Sequence, residues 1–427
     1  MSQEVSVYTL SMLIGFDGSR AFVEKRTGTE EYSYQLLKHL AKIDTKNTYI
    51  VYLRPGNRDC FPRRNVGIAM TSSRGAEATW RSLDWPSNFN FKIINHPLLW
   101  TQVGLSIQTF KDNLDVLFVP SHTIPLIRKP GLKTVMTVHD LGAEYLPTFH
   151  QLKQQLYLGF ITKFQLKTAT KLIAVSKSTK NDLVQKVGVA TSKIDVVYEG
   201  INTEDYKPLP PDKNDQILKK FGLEDQKFFL FVGTIQPRKN LERLIRAFSL
   251  YCHSERSEES LTNVSHNKTD IKSEILRSAQ NDKSYKLVLA GGKGWLSDEI
   301  YELPKKLGIE DHVEFLGYIG NDEKIGLIQS AEGFVYPSLF EGFGIPILES
   351  FALKCPVLTS NTSSMPEVAN GAAVLVDPYD VESIAEGLSI LSEDSKRNFF
   401  KRQGLEQLKN FSWEKCAKET LKVLESV

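Results

Sequence analysis

At roughly 100–200 residues per domain, a chain of 427 residues has room for two or three domains, each with its own core. Hydrophobic residues make up 41% and charged residues 24%, which excludes a collagen-like, mucin-like or wholly disordered chain. Lys and Arg number 53 against 51 Asp and Glu, and this balance of +2 predicts no nucleic-acid partner. The four cysteines (Cys60, Cys252, Cys355, Cys416) form no C-x-x-C pair, so neither a disulfide scaffold nor a zinc signature is expected. No apolar run approaches the ~18 residues of a spanning helix. The first residues carry Glu4 and lack the basic start of a signal peptide, so the expectation is a cytoplasmic protein.

In chain order, short apolar runs predict strands at Met12–Phe16, Thr48–Leu53, Val116–Val119, Thr134–Val138, Leu172–Val175 and Ile194–Tyr198. A second series follows at Phe228–Val232, Lys286–Ala290, Val313–Phe315, Gly333–Tyr336, Val357–Thr359 and Ala373–Val376. Most are continuous and do not alternate, as expected of strands covered by helices on both faces. Helices are predicted between them, at Glu30–Lys42, Leu241–Leu250, Asp322–Ser330 and Ile347–Leu353. This α/β alternation implies two doubly wound, parallel-sheet, Rossmann-like domains of roughly 200 residues each.

The polar stretch NTEDYKPLPPDKND separates the two series, which places a first domain at 1–202, a linker at 203–215 and a second domain at 216–410. Residues 251–285 form a long polar segment inside the second domain and read as a tolerated surface insertion, because added loop length costs little stability. Residues 411–427 predict a terminal helix capped by Ser412, with Trp413, Cys416, Ala417, Thr420, Leu421 and Leu424 on its apolar face.

Four segments could carry chemistry. In SLFEGFGIPILESFA, which follows the strand Gly333–Tyr336, Glu341 and Glu349 stand eight positions apart around Gly342, Gly344 and Pro346. The order is strand, glycine turn, helix, with Pro346 in the first helical turn. Such a turn offers backbone N–H groups to an anion, while carboxylates accept from vicinal hydroxyls. The second segment, FFLFVGTIQPRKN, ends a strand at Gly233 and then presents Arg238 and Lys239 before a helix. Two cations at a carboxyl strand end suit a diphosphate and are unfavourable at a helix start without an anion. Third, Gly28 in RTGTEEY precedes the first helix and could let backbone approach a phosphate. Fourth, His139 and Asp140 follow the strand Thr134–Val138, where structural and catalytic readings of the histidine are evenly balanced.

Taken in this order, the pieces resemble the family 4 retaining glycosyltransferases of GT-B fold over nearly the whole chain. The glutamate pair matches that family's Glu-x7-Glu motif. The segments TVHDLGAEYLP, LIAVSKSTKNDLVQKVGVATSKIDVVYEGIN, FVGTIQPRKNLERLIRAF and VEFLGYIGNDEKIGLIQSAEGFVYPSLFEGFG resemble the rest of its pattern. The PRKN and YPSLFEGFG stretches are similar to those of bacterial mannosyltransferases.

The resemblance implies transfer of a sugar, with retention, from GDP-mannose or a UDP-sugar to a saccharide or lipid-linked saccharide. It implies no cofactor, and no Asp-x-Asp pair is present to hold a metal. It further implies that Glu349 binds the donor ribose and Glu341 the donor sugar, and that Phe343, Gly344 and Ile345 meet sugar and diphosphate. Arg238 and Lys239 would neutralise the diphosphate, with Gly233 beside them and Gly28 approaching from the other domain. Leu316, Gly317 and Tyr318 would hold the base, and His139 would lie near donor sugar and acceptor. The terminal helix would pack back on the first domain.

Two departures stand out. Gly233-Thr234 replaces the family's Gly-Arg, and Glu199-Gly200 replaces its Asn-Gly. A nucleotide-sugar epimerase on the same architecture is the alternative enzyme, and a silent binding protein a third reading. The lysine-rich, acid-free stretch 153–180 includes Lys163, Lys167 and Lys171 at four-residue spacing. It reads first as a solvated basic face, and second as a peripheral contact with the anionic inner face of a membrane.

Overall fold

The computed structural model describes residues 11–23, 26, 28–55, 85–96, 98–121, 123–141, 162–262 and 285–427. Cys60, Lys153 and residues 263–284 of the polar insertion lie outside them.

Two parallel sheets organise the chain. The first comprises β1 (Leu13–Asp17), β2 (Thr48–Leu53), β3 (Phe89–Ile93), β4 (Val116–Val119), β5 (Lys133–Val138), β6 (Lys171–Ala174) and β7 (Ile194–Val196), in the order β3-β2-β1-β4-β5-β6-β7. The second comprises β8 (Phe228–Val232), β9 (Lys286–Ala290), β10 (Val313–Gly317), β11 (Gly333–Tyr336), β12 (Val357–Ser360) and β13 (Val374–Val376), in the order β10-β9-β8-β11-β12-β13. Both sheets wind outward from a central pair, β1 with β4 and β8 with β11, where the strand order reverses. In open parallel sheets a crevice forms at the carboxyl ends of such a pair. The central strands are buried along nearly their whole length, which is why they read as uninterrupted apolar runs.

The chain divides into one unit of Met1–Gly200 with Phe411–Val427 and a second of Ile201–Asn410. In the first, the helix Gly28–Ile43 buries Tyr32, Leu36, Leu37 and Leu40 in the same core as Ile14, Phe16 and Phe118. The terminal helix Trp413–Glu425 joins that core through Trp413, Cys416, Ala417 and Leu424. Ser412 caps it by accepting a hydrogen bond from the Lys415 N–H at 3.2 Å, and the Trp413 and Tyr32 rings meet edge to face at 5.8 Å. Val423, not Leu421, completes its buried face.

Four sequence expectations change. β3 lies in FNFKI, where Asn90 and Lys92 break the apolar run; an edge strand that pairs only with β2 tolerates them. The stretch 203–215 is no plain connector. Thr203–Tyr206 forms a 3-10 turn and Pro211–Lys220 a helix, started by a proline at its first turn, and both belong to the second unit. The helix begun at Leu241 continues to Thr262, because the polar residues after Leu250 include no helix breaker. The lysine ladder also dissolves: the helix over 162–168 carries Lys163 and Lys167, but Lys171 opens β6 and pairs with Asp195 at 2.8 Å. Among the described residues no helix is long and apolar enough to cross a membrane.

Candidate active site

The carboxyl ends of β8 and β11 hold a cluster of charged side chains. After β8 the chain passes Gly233 and makes a 3-10 turn at Pro237–Lys239, which ends on Asn240 in the left-handed conformation (φ 61°). The Asn240 amide stabilises this turn by donating to the Pro337 and Pro378 carbonyls at 3.0 and 2.6 Å. After β11 the chain runs through Pro337 to Glu341, and Leu339 N–H donates to the Arg238 carbonyl at 3.0 Å. The two loops are thereby locked side by side, which brings residues 102 positions apart in sequence into contact.

Within the cluster, Lys239 Nζ stands 2.7 Å from Glu341 Oε1 and Arg238 Nη1 3.3 Å from Oε2. Lys239 also donates to the Tyr336 hydroxyl. Lys239 and Glu341 are each only 7% exposed. Burial works against a charged carboxylate, yet the Lys239 and Arg238 charges outweigh it and hold the Glu341 carboxyl below its usual range. Burial, reinforced by the Glu341 charge, pushes the Tyr336 phenol well up, so it stays a neutral hydroxyl. Two cations against one carboxylate leave a surplus of one positive charge at the strand ends.

The loop after Glu341 is fixed through its carbonyls. Ser364 Oγ donates to the Glu341 and Phe343 carbonyls at 2.9 and 2.7 Å, and Ser363 Oγ to Glu341 O at 2.6 Å. Gly344, at φ 111°, occupies a conformation that a side chain would strain, and it turns the chain into the helix Ile345–Ala352. Glu349 lies one turn inside that helix. Its Oε1 accepts from the Tyr206 hydroxyl at 2.5 Å and from Lys324 Nζ at 3.0 Å. The two glutamates of the motif therefore answer to separate partners. Opposite the β8 loop, Gly291 follows β9, and a Cβ there would fall 1.9 Å from the Gly233 carbonyl oxygen. One strand further out, Leu316 and Gly317 end β10, and Tyr318 is 82% exposed.

The first unit holds the other two predicted residues. Gly28 opens the helix Gly28–Ile43, and a Cβ on it would meet nothing within 4 Å. His139 follows β5 and is buried. Its Nδ1 lies 3.0 Å from Glu199 Oε1 and its Nε2 3.1 Å from the Pro120 carbonyl. Burial disfavours the charged ring, but the hydrogen bond and charge of Glu199 prevail and raise the imidazole above its ordinary value. The Pro120 carbonyl can only accept, so Nε2 donates to it, while Nδ1 faces the Glu199 carboxylate. Near the ends of β2 and β4 a separate cavity of about 310 Å³ is lined by Arg54, Leu99, Trp100, Thr101, Gln102 and Thr123.

The sequence singles out Arg238, Lys239, Glu341 and Glu349 as candidates but not the side chains that the structure places against them. Tyr336, Ser364, Tyr206 and Lys324 carry no local motif. Glu199 was visible as a departure from the family pattern, and its partner His139 explains the charge at that position.

Comparison with known proteins bears on this architecture. The family described as glycosyl transferases group 1 matches residues 213–407, and glycosyltransferase family 4 matches residues 26–205. O-antigen chain mannosyltransferase B of Escherichia coli is 31% identical over 68% of this chain and 69% of its own length. O-antigen chain mannosyltransferase RfbU of Salmonella typhimurium is 27% identical over 67% and 69%. Anabaena Alr3699/HepE, solved with UDP and glucose, is 15% identical and shares the fold with a TM-score of 0.65 over 97% of this chain and all of its own. With both halves of the chain matched and each built on its own parallel sheet, this protein belongs to the family 4 glycosyltransferases of GT-B fold.

Proposed function

We propose that this glycosyltransferase moves a hexose, with retention of configuration, from a nucleotide-diphosphate sugar to a saccharide or lipid-linked saccharide. The mannosyltransferase relatives favour GDP-mannose; the neighbour solved with UDP keeps a UDP-sugar as the second donor. The observation that carries the reading is the surplus positive charge at the ends of β8 and β11, held by Arg238 and Lys239 around Glu341.

As the anomeric C–O bond to the donor phosphate breaks, negative charge develops on the leaving diphosphate. Fixed cations in a dry site stabilise that charge without reorganising. Arg238 offers a planar fork and Lys239 a point charge. Glu341, held by both, is placed to accept from donor-sugar hydroxyls, with the loop at Phe343, Gly344 and Ile345 beside it. Glu349 accepts from the ribose, and Leu316, Gly317 and Tyr318 hold the base. Gly233 keeps backbone close to the phosphates.

His139 has both ring nitrogens engaged, by Glu199 and by the Pro120 carbonyl, and in this reading it is not the base. The acceptor proton then passes to the departing phosphate oxygen as the new C–O bond forms on the same face. No Asp-x-Asp pair is present to hold a divalent metal, and activity should persist in chelator.

For the acceptor, the first unit presents exposed Leu98, Leu99 and Ile127 on segments tied together by Gln102–Leu126 and Ser106–Ile127 hydrogen bonds. Arg128 and Lys129 lie alongside. This apolar, basic surface suits a lipid-linked acceptor at an anionic membrane, and co-sedimentation with anionic but not neutral vesicles tests it.

The assignment as a whole is tested with a panel of nucleotide-sugars and saccharide acceptors, followed by NMR of the product. The expected result is acceptor-dependent release of nucleoside diphosphate and a product anomer matching the donor. An inverted anomer would overturn retention, and donor isomerised without release would overturn transfer.

A further inference from the structure

The hydrogen bonds around Glu349 are lopsided. Tyr206, from the short turn Thr203–Tyr206, and Lys324, from the helix Asn321–Ser330, both donate to Oε1, at 2.5 and 3.0 Å. Lys324 Nζ also reaches the Tyr206 hydroxyl at 3.4 Å and lies 5.0 Å from the centre of that ring. Among the described residues no donor reaches Oε2. The group is largely sheltered, with the Lys324 side chain 20% and the Glu349 side chain 12% exposed. A long acidic side chain one turn into a helix ordinarily samples several rotamers. Here donors from two other elements fix it through one oxygen, and among the described residues none holds the other.

We infer that Lys324 and Tyr206 are positioning residues that clamp Glu349 by Oε1 so that Oε2 accepts from the vicinal hydroxyls of the donor ribose, making the site discriminate a ribonucleotide from its 2′-deoxy form. The inference rests on the ribose reading of Glu349. One carboxylate oxygen has lone pairs enough for both hydroxyls. A hydrogen bond to a charged acceptor is the strong kind, so a missing 2′-hydroxyl is felt only if the carboxylate is held where that hydroxyl would be. Lys324 stands on the helix that directly follows Leu316–Ile319, so the same stretch of chain that would meet the base also sets the ribose acceptor. The clamp thereby couples two parts of nucleotide recognition through a residue that touches neither.

The test is calorimetric titration of the full-length protein with GDP, 2′-deoxy-GDP, UDP and 2′-deoxy-UDP. Wild type should prefer the ribonucleotide of its base by about 10- to 100-fold, the scale of a hydrogen bond to a charged group. Glu349→Ala should abolish the preference. Lys324→Met and Tyr206→Phe should each reduce the ratio about three- to tenfold, because a freed side chain must be ordered again on binding. Lys324→Arg, which restores a charged donor, should recover most of it. Tyr206→Phe removes one hydroxyl only and keeps the test available should Lys324→Met fold poorly. A merely structural ion pair would lower stability in the Lys324 and Tyr206 variants and leave the ratio at its wild-type value, which overturns the inference while Glu349→Ala still abolishes the preference. A wild-type ratio in Glu349→Ala would instead overturn the ribose reading itself, and the clamp with it.

Discussion

Each of the two sheets carries a buried cation–carboxylate pair at its carboxyl edge. In the second unit Lys239 meets Glu341 at 2.7 Å, and in the first His139 meets Glu199 at 3.0 Å. The pairs differ in two ways that matter. Arg238 adds a second cation to the Glu341 cluster, which then has two cations to one carboxylate, whereas His139 faces Glu199 one to one. Lysine and arginine also stay charged across the physiological range, while an imidazole titrates within it. The proposed diphosphate would meet its positive charge at the second edge, while at the first the pair ties His139 to Glu199.

Removing Lys239 should break this contrast most severely. In Lys239→Met, kcat/KM should fall at least 10²- to 10³-fold, the scale of losing one preorganised charge-stabilising group. Stability should fall by about 3–5 kcal/mol, because Glu341 is left buried without its closest cation. The double variant Lys239→Met/Glu341→Gln should recover most of that stability and none of the activity. Steady-state kinetics and denaturant unfolding separate the two effects; recovery of activity in the double variant would remove Lys239 from catalysis.

The two pairs should respond to pH in opposite directions. His139 has a raised folded value, so its contribution is full below about pH 6.5, the unfolded value, and is lost as pH rises through the higher folded value. Glu341 has a lowered one, so its contribution is present above about pH 4.5 and is lost only on acidification through the folded value. Glu199→Gln should therefore be less stable than wild type by about 3 kcal/mol near pH 6, with the gap closing toward pH 9. A constant gap in unfolding curves across that range would show that His139 carries no charge.

Smaller effects sharpen the picture. Ser364→Ala removes the hydroxyl that reaches the Phe343 carbonyl and one of the two that reach Glu341 O and should cost about 1–2 kcal/mol, with a raised donor KM as the loop loosens. Ser412→Ala removes only the cap of the terminal helix and should cost about 1 kcal/mol without altering donor KM. Thermal unfolding alongside kinetics distinguishes the pair.

What was legible in the sequence follows from the same physics. Strands buried on both faces announce themselves as apolar runs, so β2, β4, β8, β9 and β11 fall where periodicity puts them. β3, at the edge, alternates Phe with Asn and Lys and gives a weaker signal than the central strands. The lysines of 163–171 look helical by spacing, but the chain turns from helix to strand between Lys167 and Lys171. In the site, the Glu-x7-Glu spacing and the Arg-Lys pair were visible because each is local. That Lys239 and Arg238 grip Glu341 was not, since it arises from β8 and β11 lying side by side despite their distance in sequence. Tyr206 was hidden for a further reason: its segment reads as a polar linker, yet it folds onto the second unit and ends on Glu349.

The most direct test of the central claim, that the edge of β8 and β11 grips a diphosphate, is to titrate wild type and Arg238→Met with a nucleoside diphosphate and the matching monophosphate. Arg238 is part-exposed, so its loss should spare the fold. The account predicts that wild type favours the diphosphate and that the variant loses about tenfold of that preference. An undiminished preference in the variant would contradict it.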